Sequence, residues 1–100
     1  MCGAPAQKTK GAGLEGIDLT TQTVIQGVVE SDGEPVPAAY VRLLDSTGEF
    51  TAEVVTSATG DFRFFAAPGS WTVRALSPAG CGETAVLAER GLTEATILLT

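Results

Sequence analysis

The sequence contains no histidine and only two cysteines, Cys2 and Cys81, among its 100 residues. A chain without histidine lacks the usual general base of enzymes and the commonest metal ligand of proteins. This excludes the serine and cysteine catalytic machinery that relies on histidine, and the two cysteines do not have zinc-finger spacing. We therefore expect no catalytic residue, no metal site and no cofactor, and we predict that the protein is not an enzyme.

Basic residues and long apolar runs are also scarce. Six basic residues against twelve acidic ones give a net charge of −6, which makes nucleic acid and anionic membranes unfavourable partners. Every apolar run is far shorter than the ~20 residues that a membrane-spanning helix needs. The N-terminal residues also lack a stretch that resembles the apolar centre of a signal peptide. These features predict a cytoplasmic protein that contacts neither nucleic acid nor membrane.

What the chain does contain is apolar residues at every second position between Val24 and Leu76, in short blocks that end at Gly, Pro, Asp or Ser. A period of two places alternate side chains on opposite faces of an extended strand. Seven strands are predicted, at about residues 23–30, 39–45, 49–56, 61–66, 71–77, 83–88 and 93–99. The pattern indicates an all-β fold, a seven-stranded antiparallel Greek-key β-sandwich over residues 21–100. Residues 1–20 show no such periodicity and are predicted to form a flexible N-terminal tail.

The parity of each strand assigns its side chains to a buried or an outward face. The predicted core consists of Ile25, Gly27, Val29, Val41, Leu43, Phe62, Phe64, Trp71, Val73 and Ala75. Large apolar residues also fall on the outward face, namely Tyr40, Leu44, Phe65 and Leu76. Either loops and arginine stems cover these four side chains, or they form one contact patch for a partner protein or for a second copy of the chain.

Two arginines, Arg63 and Arg74, are candidates for binding an anion. If Pro68-Gly69 closes a hairpin between the fourth and fifth strands, these two residues stand opposite each other on the outward face. Facing like charges are destabilising unless an anionic group lies near. That group is either Glu53 on the preceding strand, or an acidic partner or small oxyanion bound by the two guanidinium groups.

Cys2 is a candidate sulfur acceptor. Removal of Met1 would leave the Cys2 thiol beside a free amine at the terminus, and an exposed thiolate can accept or pass on sulfur. The alternative is an incidental cysteine in a tail. Cys81 lies between Gly80 and Gly82 in a predicted loop, where we expect no role, although a disulfide between the two cysteines stays open.

Four blocks of the chain together resemble the carboxypeptidase regulatory-domain-like, transthyretin-related β-sandwich. They are Val24-Ile25-x-Gly27-x-Val29, Gly33-x-Pro35-Val36-x-x-Ala39-x-Val41-x-Leu43, Thr56-x-x-x-Gly60-x-Phe62-x-Phe64 and Gly69-x-Trp71-x-Val73-x-Ala75. Trp71 stands where that superfamily usually has tyrosine. Because the superfamily hosts unrelated functions, the resemblance implies the fold and little else. The hydrolase on this fold depends on histidines, which the chain lacks.

Over its whole length the chain is similar to a narrower family of uncharacterised bacterial proteins that are associated with sulfur metabolism. The similarity rests on the Met1-Cys2 opening and on the string FTAEVVTSATGDFRFFAAPGSWT, which covers residues 50–72. In that family the gene typically lies beside one for a rhodanese-type thiosulfate sulfurtransferase. The resemblance implies a non-enzymatic accessory protein that docks on such a sulfurtransferase, with Cys2 as the candidate sulfur acceptor. The competing prediction is a purely structural interaction module without thiol chemistry.

Overall fold

The chain forms two β-sheets that pack face to face. Its strands are the segments in which apolar residues alternate, and turn residues separate them. The computed structural model describes residues 22–100. Its strands are β1 (Thr23–Ser31), β2 (Glu34–Pro35), β3 (Tyr40–Leu44), β4 (Phe50–Val55), β5 (Asp61–Ala66), β6 (Gly69–Ser77), β7 (Gly80–Ala88) and β8 (Gly91–Leu98). In the first sheet β1 lies between β8 on one side and β5 with β2 on the other. The second sheet has the order β4-β3-β6-β7.

The all-β prediction is confirmed, and the two sheets form a sandwich. The predicted number of seven strands is wrong, because the described residues form eight. The additional strand is β2, which folds back onto the end of β1 through the turn at Asp32-Gly33. The expectation that all strands run antiparallel is also wrong, because β8 runs parallel to β1. The predicted tail, residues 1–20, lies outside the described residues.

The core between the sheets is built from side chains that the strand parity assigns to it. Ile25, Val29, Val41, Leu43, Phe62, Phe64, Val73 and Ala75 are buried in one cluster, as predicted. The rings of Phe62 and Phe64 lie tilted to each other with their centroids 6.0 Å apart. The prediction of a buried Trp71 is wrong: its side chain is only partly buried and packs against the cluster. The physical reason is position, because Trp71 lies at an open end of the sandwich and lines a groove there.

Cys81 lies in a strand and not in the predicted loop. β7 begins at Gly80, so Cys81 is the second residue of this strand. Gly82 permits a close approach of two strands, because a Cβ atom at this position would overlap the carbonyl oxygen of Leu98. The carbonyl oxygen of Cys81 accepts a hydrogen bond of 3.0 Å from the amide of Thr100. Gly80 and Gly82 therefore allow the close contact between β7 and the end of β8, and they do not mark a loop.

One carboxylate organises the turn between β3 and β4. Asp45 Oδ1 accepts hydrogen bonds from the Thr47 hydroxyl at 2.6 Å, the Thr47 amide at 2.9 Å and the Glu49 amide at 3.0 Å. These bonds, that of the Thr47 hydroxyl foremost, lower the pKa of Asp45 from its ordinary value because they stabilise the charged form. The turn leads into β4, which places Phe50 and Glu53 alongside β3.

Thr56 fixes the segment that precedes β3. Its buried hydroxyl accepts a hydrogen bond of 2.9 Å from the Ala39 amide and donates one of 2.7 Å to the Val36 carbonyl. Both partners are backbone groups before the strand begins, and a buried backbone group without a partner would be costly. The hydroxyl thereby determines where the chain enters β3 at Tyr40.

Candidate functional site

The second sheet has one side that faces away from the core, which we call the outer face. Three rows of side chains on this face run across all four strands of the sheet. The first row is Val55, Tyr40, Leu76 and Cys81. The second row is Glu53, Arg42, Arg74 and Glu83. The third row is Phe50, Leu44, Thr72 and Ala85. Facing residues within a row have Cβ atoms only about 4.5–5.5 Å apart, so the side chains of each row lie in contact. The outer face is therefore a band of charge, the second row, between two largely apolar strips, the first and third rows.

The charged row has two arginines at its centre and a glutamate at each end. Arg42 and Arg74 are direct cross-strand partners. Arg42 Nε donates to Glu53 Oε2 at 2.8 Å, and Arg74 Nε donates to Glu83 Oε1 at 2.9 Å. The arginine side chains remain 47% and 46% exposed. The glutamates offset the repulsion between the arginines, but ion pairs this exposed contribute little to stability.

A ring contact joins the charged row to the third row. The guanidinium carbon of Arg42 lies 5.9 Å from the centroid of the Phe50 ring. At this distance the ring attracts a cation weakly, and the ring itself is largely exposed. The contact therefore holds an apolar surface beside the centre of the charged row.

The first row carries two of the predicted contact residues. Tyr40 and Leu76 are direct cross-strand partners and are 39% and 42% exposed. Their placement together on an accessible surface agrees with the prediction. Cys81, the strand neighbour of Leu76, extends this row to the edge of the sheet with an exposed thiol.

The other two predicted contact residues do not join them, so the prediction of one patch is wrong. Leu44 lies on the outer face but is only 6% exposed, because Phe50 and Thr72 flank it on the neighbouring strands. Phe65 is exposed, but it belongs to β5 and therefore to the other sheet. Parity places a side chain inward or outward, but it does not say which sheet the strand joins.

The predicted opposition of Arg63 and Arg74 is wrong for the same reason. β5 pairs with β1, whereas β6 pairs with β3 and β7, so the segment around Pro68 passes from one sheet to the other. Arg63 instead donates from Nε and Nη2 to Oε1 of Gln26 on β1, at 3.0 and 2.9 Å. The residue that faces Arg74 is Arg42, which becomes the second member of the candidate anion site.

Trp71 and Phe65 line a groove of about 580 Å³ at one end of the sandwich. The groove also contacts Gln22, where the described part of the chain begins. The indole Nε1 of Trp71 donates to the Ala67 carbonyl at 2.8 Å. Because this bond uses the only polar atom of the indole ring, the Trp71 ring offers apolar surface to the groove, which Gln22, Thr23 and Thr51 also line.

Cys2 lies outside the described residues, so its role and its pairing with Cys81 stay predictions. Cys81 lines a small groove of about 300 Å³ together with Arg74, Leu76, Gly82, Glu83 and Thr100. Across residues 22–100, no group of three or more His, Cys, Asp or Glu side chains is arranged to hold a metal ion. The same region has no helix that is long and apolar enough to cross a membrane.

Arg42 and Glu83 are members of the charged row that sequence reasoning missed. The alternation along each strand places both charged residues at outward positions, and this is the sequence signal that could have found them. Using that signal requires the order of the strands, since β3 and β6 become neighbours only when the sheet forms.

Two solved dioxygenase structures have a similar fold. Catechol 1,2-dioxygenase from Acinetobacter sp. ADP1 matches with a TM-score of 0.61 at 11% identity, over 99% of this chain and 59% of that chain. The chain thus spans less than two thirds of that enzyme. The dioxygenase domain of a dioxygenase carbohydrate-binding protein fusion from Streptomyces sp. SirexAA-E matches with a TM-score of 0.60 at 12% identity, over 99% of this chain and 90% of that chain. At these identities the likeness concerns the fold alone.

Sequence relatives are much more similar. Two uncharacterized proteins of Mycobacterium tuberculosis strain H37Rv are each 62% identical over 88 residues, which cover 86% of this chain and 85% of the relative. An uncharacterized protein of Mycolicibacterium smegmatis is 67% identical over 72 residues, which cover 71% of this chain and 80% of the relative. None of these names assigns an enzymatic activity. The family described as "Protein of unknown function (DUF1416)" matches residues 2–99, and the chain belongs to this family.

Proposed function

We propose that the protein is a non-enzymatic, cytoplasmic accessory protein of sulfur metabolism that docks on a rhodanese-type thiosulfate sulfurtransferase through its outer face. The observation that carries the docking role is the exposed pair Tyr40 and Leu76 beside the charged row. The resemblance of the chain to a sulfur-associated family supports the choice of partner. A Greek-key, transthyretin-related class for the sandwich is part of the same proposal, supported by the four sequence blocks.

The composition of the outer face suits a protein partner. Apolar side chains that lie together in an accessible strip lose their contact with water when a partner covers them, which favours association. Phe50, at 61% exposure, adds apolar surface on the other side of the charged row, and Leu87, at 66%, lies two positions beyond Ala85 on β7. The charged row between the strips favours a specific orientation of the partner more than it adds affinity.

In this proposal the thiol of Cys2 accepts sulfur from a persulfide on the docked sulfurtransferase. The Cys2 thiolate attacks the outer sulfur of that persulfide, a new sulfur–sulfur bond forms on Cys2, and the enzyme's sulfur–sulfur bond breaks. The enzyme cysteine leaves as a thiolate and takes up the proton that Cys2 released, so that no external oxidant or reductant is needed. The second candidate function, a purely structural interaction module, uses the same outer face without this step.

Sulfur acceptance is testable by mass spectrometry of the intact protein after incubation with the sulfurtransferase and thiosulfate. We expect the wild-type chain to gain the mass of one sulfur atom, mapped to Cys2, and Cys2→Ser to gain none. The melting temperature of Cys2→Ser should equal that of the wild type, since the sequence predicts that Cys2 lies in a tail that contributes nothing to the core.

The matched control is Cys81→Ser, which removes the exposed thiol at the edge of the outer face and should leave sulfur acceptance intact. If Cys2→Ser gains sulfur as the wild type does, or if Cys2 forms a stable disulfide with Cys81, the carrier role is wrong. Docking without any sulfur transfer would favour the structural interaction module.

A further inference from the structure

We infer that the docking partner presents an acidic side chain that binds between Arg42 and Arg74, with apolar side chains on either side of it. This inference rests on the proposed docking role of the outer face and specifies its chemistry. It assigns an anion site to a pair of arginines from β3 and β6, which are far apart in sequence and meet only in the folded sheet.

The geometry of the charged row provides the site. Each arginine uses Nε for the glutamate on its far side, Glu53 for Arg42 and Glu83 for Arg74. A guanidinium group has five N–H donors, so each arginine keeps the capacity to donate to a further acceptor. A carboxylate has two oxygens and can accept from both guanidinium groups at once. Such a carboxylate would also neutralise the repulsion between the two facing arginines.

The surroundings favour a carboxylate on a protein over a free anion. Both arginine side chains are nearly half exposed, and water weakens an ion pair at such a site. A partner that also covers Tyr40, Leu76 and Phe50 would exclude that water and strengthen the ion pair. A free anion would leave these apolar side chains exposed and gain nothing from them.

The charge pattern also disfavours two other occupants. Nucleic acid would bring several phosphates against Glu53, Glu83 and a chain of net charge −6. A second copy stacked on the outer face about a two-fold axis through the middle of the row would place arginine on arginine and glutamate on glutamate. A partner segment with one acidic residue between apolar residues fits better, because its carboxylate binds the two arginines and its apolar side chains cover the apolar strips.

The direct test follows the Nε–H signals of the arginines by nuclear magnetic resonance during titration with a capped five-residue peptide that has one glutamate at its centre and leucines on either side. The control peptide carries glutamine in place of glutamate. We expect the glutamate peptide to shift the signals of Arg42 and Arg74 while that of Arg63, on the other sheet, stays in place. The glutamine peptide should bind at least fivefold more weakly.

Three variants sharpen this test. Arg42→Gln and Arg74→Gln should each weaken binding of the glutamate peptide about tenfold, as loss of a charge-assisted hydrogen bond does. Arg63→Gln is the matched control and should bind as the wild type. Equal binding of the two peptides, equal shifts at Arg63, or no shift at millimolar glutamate peptide would each overturn the inference.

The same variants separate this inference from the proposed function. If the wild type binds the peptide as expected but not the sulfurtransferase, the choice of partner is wrong and the acidic-residue site stands. If the sulfurtransferase binds Arg42→Gln and Arg74→Gln as tightly as the wild type, the site is wrong and the docking role stands.

Discussion

Replacing Gly27 by alanine is expected to destabilise the domain by about 3 kcal/mol or more. A Cβ atom at this position would overlap the carbonyl oxygen of Ala95 on β8 and would lie 2.9 Å from the Phe62 ring. Neither neighbour can move freely, because one is backbone of the paired strand and the other is a buried core ring. Urea denaturation followed by circular dichroism measures the change in the free energy of unfolding.

Gly33→Asn is the matched control for this prediction. Gly33 has a φ of +82° and no atom within 4 Å of a built Cβ, so the position has open space. Asparagine tolerates this left-handed backbone conformation, and the free energy of unfolding should change by less than about 1 kcal/mol. If Gly27→Ala is as mild as Gly33→Asn, the close pairing of β1 with β8 is not present in solution.

Phe64→Ala is expected to destabilise the domain by roughly 3–5 kcal/mol. The Phe64 side chain is 3% exposed and packs in the main core cluster, so its removal leaves a cavity between the sheets. A small domain has a free energy of unfolding of only about 5–15 kcal/mol, so this loss is a large share of the total.

The next residue along the chain provides the control. Phe65 points away from the core and is 58% exposed, and Phe65→Ala should change the free energy of unfolding by no more than about 1 kcal/mol. A larger loss in Phe65→Ala than in Phe64→Ala would mean that β5 is shifted by one residue, which would invert every side chain on that strand.

Strand positions and side-chain faces could be predicted from the sequence because both follow from local alternation. The strand at residues 61–66 has the predicted bounds, and Phe62 and Phe64 are buried as expected. Strand pairing could not be predicted in this way. The segment between β5 and β6 contains Pro68-Gly69, which is typical of a hairpin, yet here it carries the chain from one sheet to the other. Alternation contains no information on this choice.

The candidate site depends on pairing even more than the fold does. Tyr40 and Leu76 could be placed on the outward face because each lies at an outward position of its own strand. The arginine pair could not, because Arg42 is the partner of Arg74 only when β3 lies beside β6. The role of Gly82 could not be predicted either. It does not end a strand, and its close contact with Leu98 is a tertiary contact that no short sequence motif indicates.

The most direct test of the docking role is isothermal titration calorimetry of the sulfurtransferase with two leucine-to-glutamate variants. Leu76 lies on the outer face at 42% exposure, and Leu98 lies on β8 of the other sheet at 62% exposure. Because both changes place the same charge on an exposed strand position, they differ mainly in location. The account predicts that Leu76→Glu weakens binding at least tenfold while Leu98→Glu binds as the wild type. Wild-type affinity in Leu76→Glu, with or without a loss in Leu98→Glu, would contradict docking through the outer face.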